Sequence, residues 1–164
     1  MLIYVFALNG VFDIGLASLL DVIGTANELG QREQSSLQLD MRLVGVRQEV
    51  HTAQGLSVPV TRVTALPRPD VVLLPALGSK MPQPLLAALT RPDVIEAGTW
   101  LRQWAAAGVH IGAACTSTFV LAETGLLDGQ SATTSWWLSA LFHQRYPLVA
   151  LDESRMLVNS PGFT

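Results

Sequence analysis

Val109-His110-Ile111-Gly112-Ala113-Ala114-Cys115-Thr116-Ser117-Thr118-Phe119-Val120-Leu121-Ala122 is a short apolar strand running straight into a helix, with the chain's only cysteine at the junction. A nucleophilic residue at such an elbow stands off the end of the sheet, beside the unpaired N–H groups of the helix start, where a thiolate is stabilised. A reactive thiol is one reading of Cys115. The other is packing, because free cysteine is among the most buried residue types and the motif carries no charged neighbour.

Outward from this elbow the chain alternates strands and helices. Leu2 to Leu8 is a continuous apolar run of strand length. Ile14 to Leu29 then spaces Leu16, Leu19, Leu20, Ile23, Ala26 and Asn27 by threes and fours, which predicts a helix. Arg42 to Arg47 alternates apolar and basic residues, and Leu56 to Val63 is an extended stretch interrupted by Pro59; both read as strands at the sheet's rim. Asp70 to Pro75 is a buried strand closed by proline, followed by a loop at Leu77-Gly78-Ser79. Between Pro92 and Gly108, Val94, Ile95, Leu101, Trp104 and Ala105 share roughly one helical face, with Gly108 as the stop. After the Cys115 helix come a turn at Gly125–Gly129, a short strand at Ser131–Thr134, a helix at Trp136–Tyr146 and a last strand at Met156–Val158. The expected fold class is therefore α/β, a flavodoxin-like three-layer sandwich whose mainly parallel sheet carries helices on both faces. Ligands of such sheets bind beyond the carboxyl ends of the strands. Three segments meet there: Pro75 to Ser79, the Cys115 elbow, and Thr133 to Trp136.

Composition bounds the rest. The 164 residues suit one domain with a well-supplied core, 49% of them hydrophobic. Only 14% are charged, below the usual ~25%, which points to a doubly covered sheet and a surface lost to a partner. With a net charge of −3 and ten basic residues scattered singly, the segment has no basic stripe to follow a phosphate backbone. One cysteine excludes an internal disulfide, no basic leader precedes an apolar core, and no apolar run reaches the ~18 residues of a membrane span; a cytoplasmic location is expected.

The run Cys115-Thr116-Ser117-Thr118-Phe119-Val120-Leu121-Ala122-Glu123-Thr124-Gly125-Leu126-Leu127-Asp128-Gly129-Gln130-Ser131-Ala132-Thr133-Thr134-Ser135-Trp136, followed by Arg145-Tyr146-Pro147, resembles the ThiJ/PfpI superfamily of class I glutamine amidotransferase-like proteins. Its nearest branch is the sensor domain of AraC-family transcriptional regulators, whose start is similar to Leu8 to Val22 with Thr25-Ala26-Asn27-Glu28-Leu29 behind it. The resemblance implies a single amidotransferase-like domain over residues 1–164. It also implies a helix-turn-helix domain later in the full protein, so that the tail Asn159 to Thr164 reads as a fragment ending before the domain's last helix.

Several positions depart from the hydrolytic and hydrating members of that superfamily. A histidine commonly precedes their tryptophan, and here the position is Ser135, which is no base near neutral pH. The acid that their first strand-helix loop brings to the cysteine aligns with Gly15; Asp13, two residues away, is expected instead to cap the helix. The family loop with glycine after proline reads Pro75-Ala76-Leu77-Gly78, where Ala76 restricts the torsions of a backbone oxyanion pocket. Ser117 replaces a glycine often found two residues past the cysteine. His51, His110 and His143 are not placed to activate Cys115, and one cysteine with three dispersed histidines makes no metal site, so neither metal nor cofactor is expected. Trp136 and Trp137 are expected on different sides of their helix, one toward the pocket; Trp100 and Trp104 share a face and suit core or dimer contact.

Catalysis is thereby disfavoured, and the expected function is the ligand-sensing and dimerisation domain of an AraC-family regulator without hydrolase activity. Its expected partners are a second copy, a small effector, and DNA only through the helix-turn-helix domain, with no membrane. Expected ligand-binding residues are Cys115, Thr116, Ala76, Leu77, Gly78, Thr134, Ser135, Trp136 and Asp13, around an amine, amide or amino-acid-like effector. The competing reading is a cysteine-dependent hydrolase or isonitrile hydratase using Cys115 as nucleophile. A third is a domain that only dimerises the regulator.

Overall fold

The computed structural model describes residues 1–33 and 38–164. Five strands form the main sheet in the order β5-β2-β1-β6-β7: β1 (Leu2–Phe6), β2 (Asp40–Gly45), β5 (Thr61–Arg62), β6 (Val71–Leu74) and β7 (His110–Ala113). Every pairing among them is parallel. β1 is central because it is apolar on both faces. Tyr4 and Phe6 pack with Val72, Leu74 and Ile111 on one side, under α3 (Pro92–Ala106) and α4 (Ser117–Ala122). Ile3 and Val5 pack with Leu16 and Ile23 of α1 (Asp13–Arg32) on the other. The flavodoxin-like α/β sandwich is thus the observed fold.

Several expectations change in detail. The strand containing Arg42 lies one place inside the sheet, flanked by β1 and β5. The Leu56–Val63 stretch divides at Val60: β4 (Ser57–Pro59) forms an antiparallel hairpin with β3 (Glu49–His51), and only Thr61–Arg62 reaches the rim. A helix not anticipated, α2 (Pro82–Leu89), begins at proline, which is tolerated where a helix has no N–H partner to lose. Trp136–Leu138 is a 3-10 turn leading into α5 (Ser139–Arg145), not one helix.

Met156–Val158 is not a strand. Met156 is fully exposed and Leu157 is exposed as well, so the segment has no face to bury. Strand pairing falls on either side of it: β8 (Ser131–Ala132) pairs with β9 (Ala150–Leu151), and the C-terminal residues add to the free edge of β7. There Ile111 N donates to Gly162 O (2.9 Å), Thr164 N to Ile111 O (3.0 Å) and Ala113 N to Thr164 O (2.9 Å). Among the described residues no helix is long and apolar enough to cross a membrane.

Candidate functional site

β7 ends at Ala113, Ala114 N still donates to Leu74 O (3.0 Å), and the chain then reverses at Cys115. Cys115 has φ 56°, the only described non-glycine residue with positive φ. Such a residue persists only where its surroundings over-determine it, at a cost of about 1–3 kcal/mol. The surroundings here are hydroxyls. Thr116 Oγ1 donates to Leu77 O (2.7 Å) and Ser117 Oγ to Pro75 O (2.6 Å), tying the elbow to the loop after β6. Thr134 Oγ1 donates to Cys115 O (2.9 Å) and Thr118 Oγ1 to Thr133 O (3.0 Å), tying it to the segment after β8. The three segments expected at the carboxyl edge therefore do meet. Ser117, read as a departure from glycine, has a structural use, since no positive φ is required there.

The thiol is exposed, and its partner is Ser135, whose Oγ lies 2.7 Å from Sγ. Ser135 is 93% buried, so this hydroxyl faces the sulfur rather than solvent. None of the histidines joins them. His51 contacts Ser57 (3.2 Å), His110 contacts Thr164 (2.7 Å) and His143 contacts Glu153 (3.0 Å). Ala76 keeps negative φ, so the loop does not need the torsions that only glycine would permit. Its carbonyl accepts from Phe12 N (2.8 Å), and Gly78 N donates to Gly10 O (2.7 Å), while the N–H groups of Ala76, Leu77, Cys115 and Thr116 have no acceptor among the described residues. Free donors of this kind can hold a carbonyl oxygen or an anion.

Asp13 does not cap α1. Phe12 occupies the cap position and Asp13 is already the first helical residue, too late to accept from the next turn as a cap does. Both its carboxylate oxygens are buried with no hydrogen-bond partner among the described residues.

A cavity of about 530 Å³ opens at the elbow. Of the expected ligand-binding residues, Cys115, Thr134, Ser135 and Trp136 line it; Thr116, Ala76, Leu77, Gly78 and Asp13 do not. Sequence reasoning missed much of the remaining wall: Leu19 of α1, the segment Glu153–Val158, and Phe163 with Thr164. Trp136 and Trp137 both line the cavity and both are exposed, so neither serves the core, contrary to the expectation that they would point to different sides. Trp137 Nε1 donates to Lys80 O (2.8 Å). Trp104, by contrast, is buried edge-on against Tyr4 and Phe6, as the Trp100–Trp104 stripe predicted. No group of three or more potential metal ligands occurs among the described residues.

The fold matches solved structures over 99% of this chain. Drosophila melanogaster DJ-1beta superposes with a TM-score of 0.74 at 18% identity, over 78% of its own chain. This chain has the DJ-1/ThiJ/PfpI fold. An AraC family transcriptional regulator from Pseudomonas putida shares that fold, with a TM-score of 0.75 at 18% identity over 80% of its chain. In sequence, this DJ-1-like chain is 30% identical over 156 residues to the HTH-type transcriptional regulator GbdR of Pseudomonas aeruginosa, covering 92% of this chain. It spans 38% of the length of GbdR. No family model matches the chain.

Proposed function

We propose that this DJ-1-like chain is the effector-sensing and dimerising domain of an AraC-type transcriptional regulator and that it has no hydrolase activity. The observation that carries the reading is the group facing the sulfur. Ser135 Oγ stands 2.7 Å from Cys115 Sγ, where a nucleophilic mechanism needs an imidazole or carboxylate to take the proton. The cavity beside it falls within the ~300–1,000 Å³ usual for small-ligand sites. Similarity to GbdR over most of the chain supports the regulatory half of the proposal. Under this reading Cys115, Thr134, Ser135 and Trp136 touch the effector, and Thr116 with the Ala76–Gly78 loop holds them in place. DNA is bound by a helix-turn-helix module elsewhere in the longer, cytoplasmic protein.

Coupling between effector and DNA is linkage. An effector that prefers one arrangement of the dimer shifts how the DNA-binding modules are spaced, and a tenfold preference is worth about 1.4 kcal/mol. The test is the effector response of DNA affinity in the longer regulator, compared with its Cys115→Ser variant. The response is expected to be largely retained, with at most a modest change in effector affinity, because a serine hydroxyl keeps a hydrogen-bonding group beside Ser135; its complete loss with folding preserved would mean covalent or redox sensing.

A cysteine-dependent hydrolase or hydratase is the second reading. The strained φ of Cys115 and the four uncommitted N–H groups beside it favour it. It requires steady-state turnover that depends on the sulfur.

A further inference from the structure

We infer that the sheet floor of the cavity is the seat of an amphipathic helix of the same protein, contributed by the stretch that follows Thr164, and that a ligand is left only the elbow end. This goes beyond the sensing reading and does not depend on it. The two faces of the same strands are covered unequally. On the face under α3 and α4, Val72, Leu74 and Ile111 are at most 1% exposed. On the face that α1 shares, the alternate residues Val71, Leu73 and Gly112 are only half-buried.

Helices cover a parallel sheet on both faces. Here α2, α3, α4 and α5 all bury their apolar residues with Tyr4 and Phe6, while α1 packs its Leu16 and Ile23 against Ile3 and Val5 of β1 on the opposite face. Neighbouring strands lie about 4.8 Å apart, so the bare strip over β6, β7 and the Phe163 edge is about 10 Å wide, the breadth of one helix. Gly112 keeps its floor low. A Cβ there would come within 2.9 Å of Leu73 Cδ2, and glycine inside a strand marks a place where another backbone comes close. Leu19 of α1 lines the cavity, as do Met156 and Leu157, which are 100% and 64% exposed and find no other face to bury. A helix seated on the strip gives all three an apolar partner.

Strand direction assigns the helix to the stretch after Thr164. Phe163 pairs in parallel with Ile111, so this segment runs as β7 does, toward the carboxyl edge, one place further out in the sheet. Chain that turns back over the sheet from there travels in the sense of β1 to β2, whose crossover helix is α1. Crossovers share one hand, so a helix returning in that sense lies on the face of α1, where the strip is bare. Residues matching this chain make up 78% of DJ-1beta and 80% of the Pseudomonas putida regulator, so each holds further chain that can supply such an element.

Alkylation by iodoacetamide tests this in three forms of the protein: the 164-residue chain, that chain extended by the stretch after Thr164, and the full-length protein. Leu73→Cys, combined with Cys115→Ser to leave one thiol, is expected to react at least thirtyfold more slowly in the two longer forms. Wild-type Cys115 is expected to react at rates within threefold in all three, because the elbow end stays open. Unsubstituted protein gives the same comparison if the variant does not fold: 1-anilinonaphthalene-8-sulfonate is expected to fluoresce at least fivefold more with the 164-residue chain than with either longer form. Equal Leu73→Cys rates, or equal dye fluorescence, in all three forms would overturn the inference. Protection found only in the full-length protein would give the strip to a more distant part of it, and protection that rises with the concentration of the 164-residue chain would give it to a second copy; either overturns the inference. Protection of Cys115 in the extended chain would mean that the elbow end is not left free, which overturns it as well. No effector enters the test, so its failure leaves the sensing reading standing, and an unanswered effector search leaves the helix seat standing.

Discussion

Cys115 holds a left-handed backbone, φ 56°, that glycine adopts freely and other L-residues adopt at a cost of about 1–2 kcal/mol. That cost can be isolated by comparing two substitutions that both remove the sulfur. Cys115→Gly is expected to be about 1 kcal/mol more stable than Cys115→Ala in urea unfolding, because only the alanine variant retains the strain. Equal stabilities would mean that the elbow stores none. A cysteine maintained in this conformation by Thr116, Ser117 and Thr134, with its sulfur set against Ser135 and open to a cavity, is placed to meet a ligand. Among the described residues the side chain hydrogen-bonded to that sulfur is the Ser135 hydroxyl, which is no base near neutral pH.

Among the elements, α4 and α5 are joined at their C-terminal ends by Glu123, Arg145 and Tyr146. Arg145 Nε donates to Glu123 Oε1 at 2.5 Å, and the Tyr146 hydroxyl donates to the same oxygen. Burial works against the charge of Glu123, but the bonds from Arg145 and Tyr146 and the guanidinium charge outweigh it and hold the carboxyl below its ordinary value. Burial and the Glu123 charge push the Tyr146 phenol up, so it stays protonated as the donor. For a carboxyl lowered by folding, the stabilisation is present above its unfolded pKa of about 4.3 and is lost as pH falls through the folded value. Thermal melts from about pH 5 down to pH 3 are therefore expected to show wild type losing more stability than Glu123→Gln. Parallel pH profiles would contradict this. The elbow and the strands around it were legible in the sequence because their signals are local: apolar runs, a proline after Leu74, small residues at the turn. The cavity's far wall was not, because Glu153–Val158 and Phe163–Thr164 are placed by pairings distant in sequence, β8 with β9 and the C-terminal residues with β7. Asp13 was misjudged as a cap because the helix begins one residue earlier than Ile14, and Pro82 and Pro84 hid α2 within its own first turn.

At the scale of the whole molecule, α1 buries Leu16 and Ile23 against the sheet while Ile14, Val22 and Leu29 stay exposed on its other side. A second apolar stripe on a chain with 14% charged residues fits the proposed dimer. Sedimentation is expected to give a dimer for this chain and a monomer for Val22→Glu with an unchanged fold; a monomeric wild type would remove dimerisation from the proposal. The central claim, that this DJ-1-like domain binds at Cys115 without catalysing there, is tested most directly by steady-state hydrolysis of p-nitrophenyl acetate by wild type and Cys115→Ala. The account predicts at most one acetyl transfer per thiol, followed by rates that agree within a factor of about two, since no base turns the sulfur over. Sustained turnover by wild type about a hundredfold above the alanine variant, the scale of general-base assistance, would contradict it.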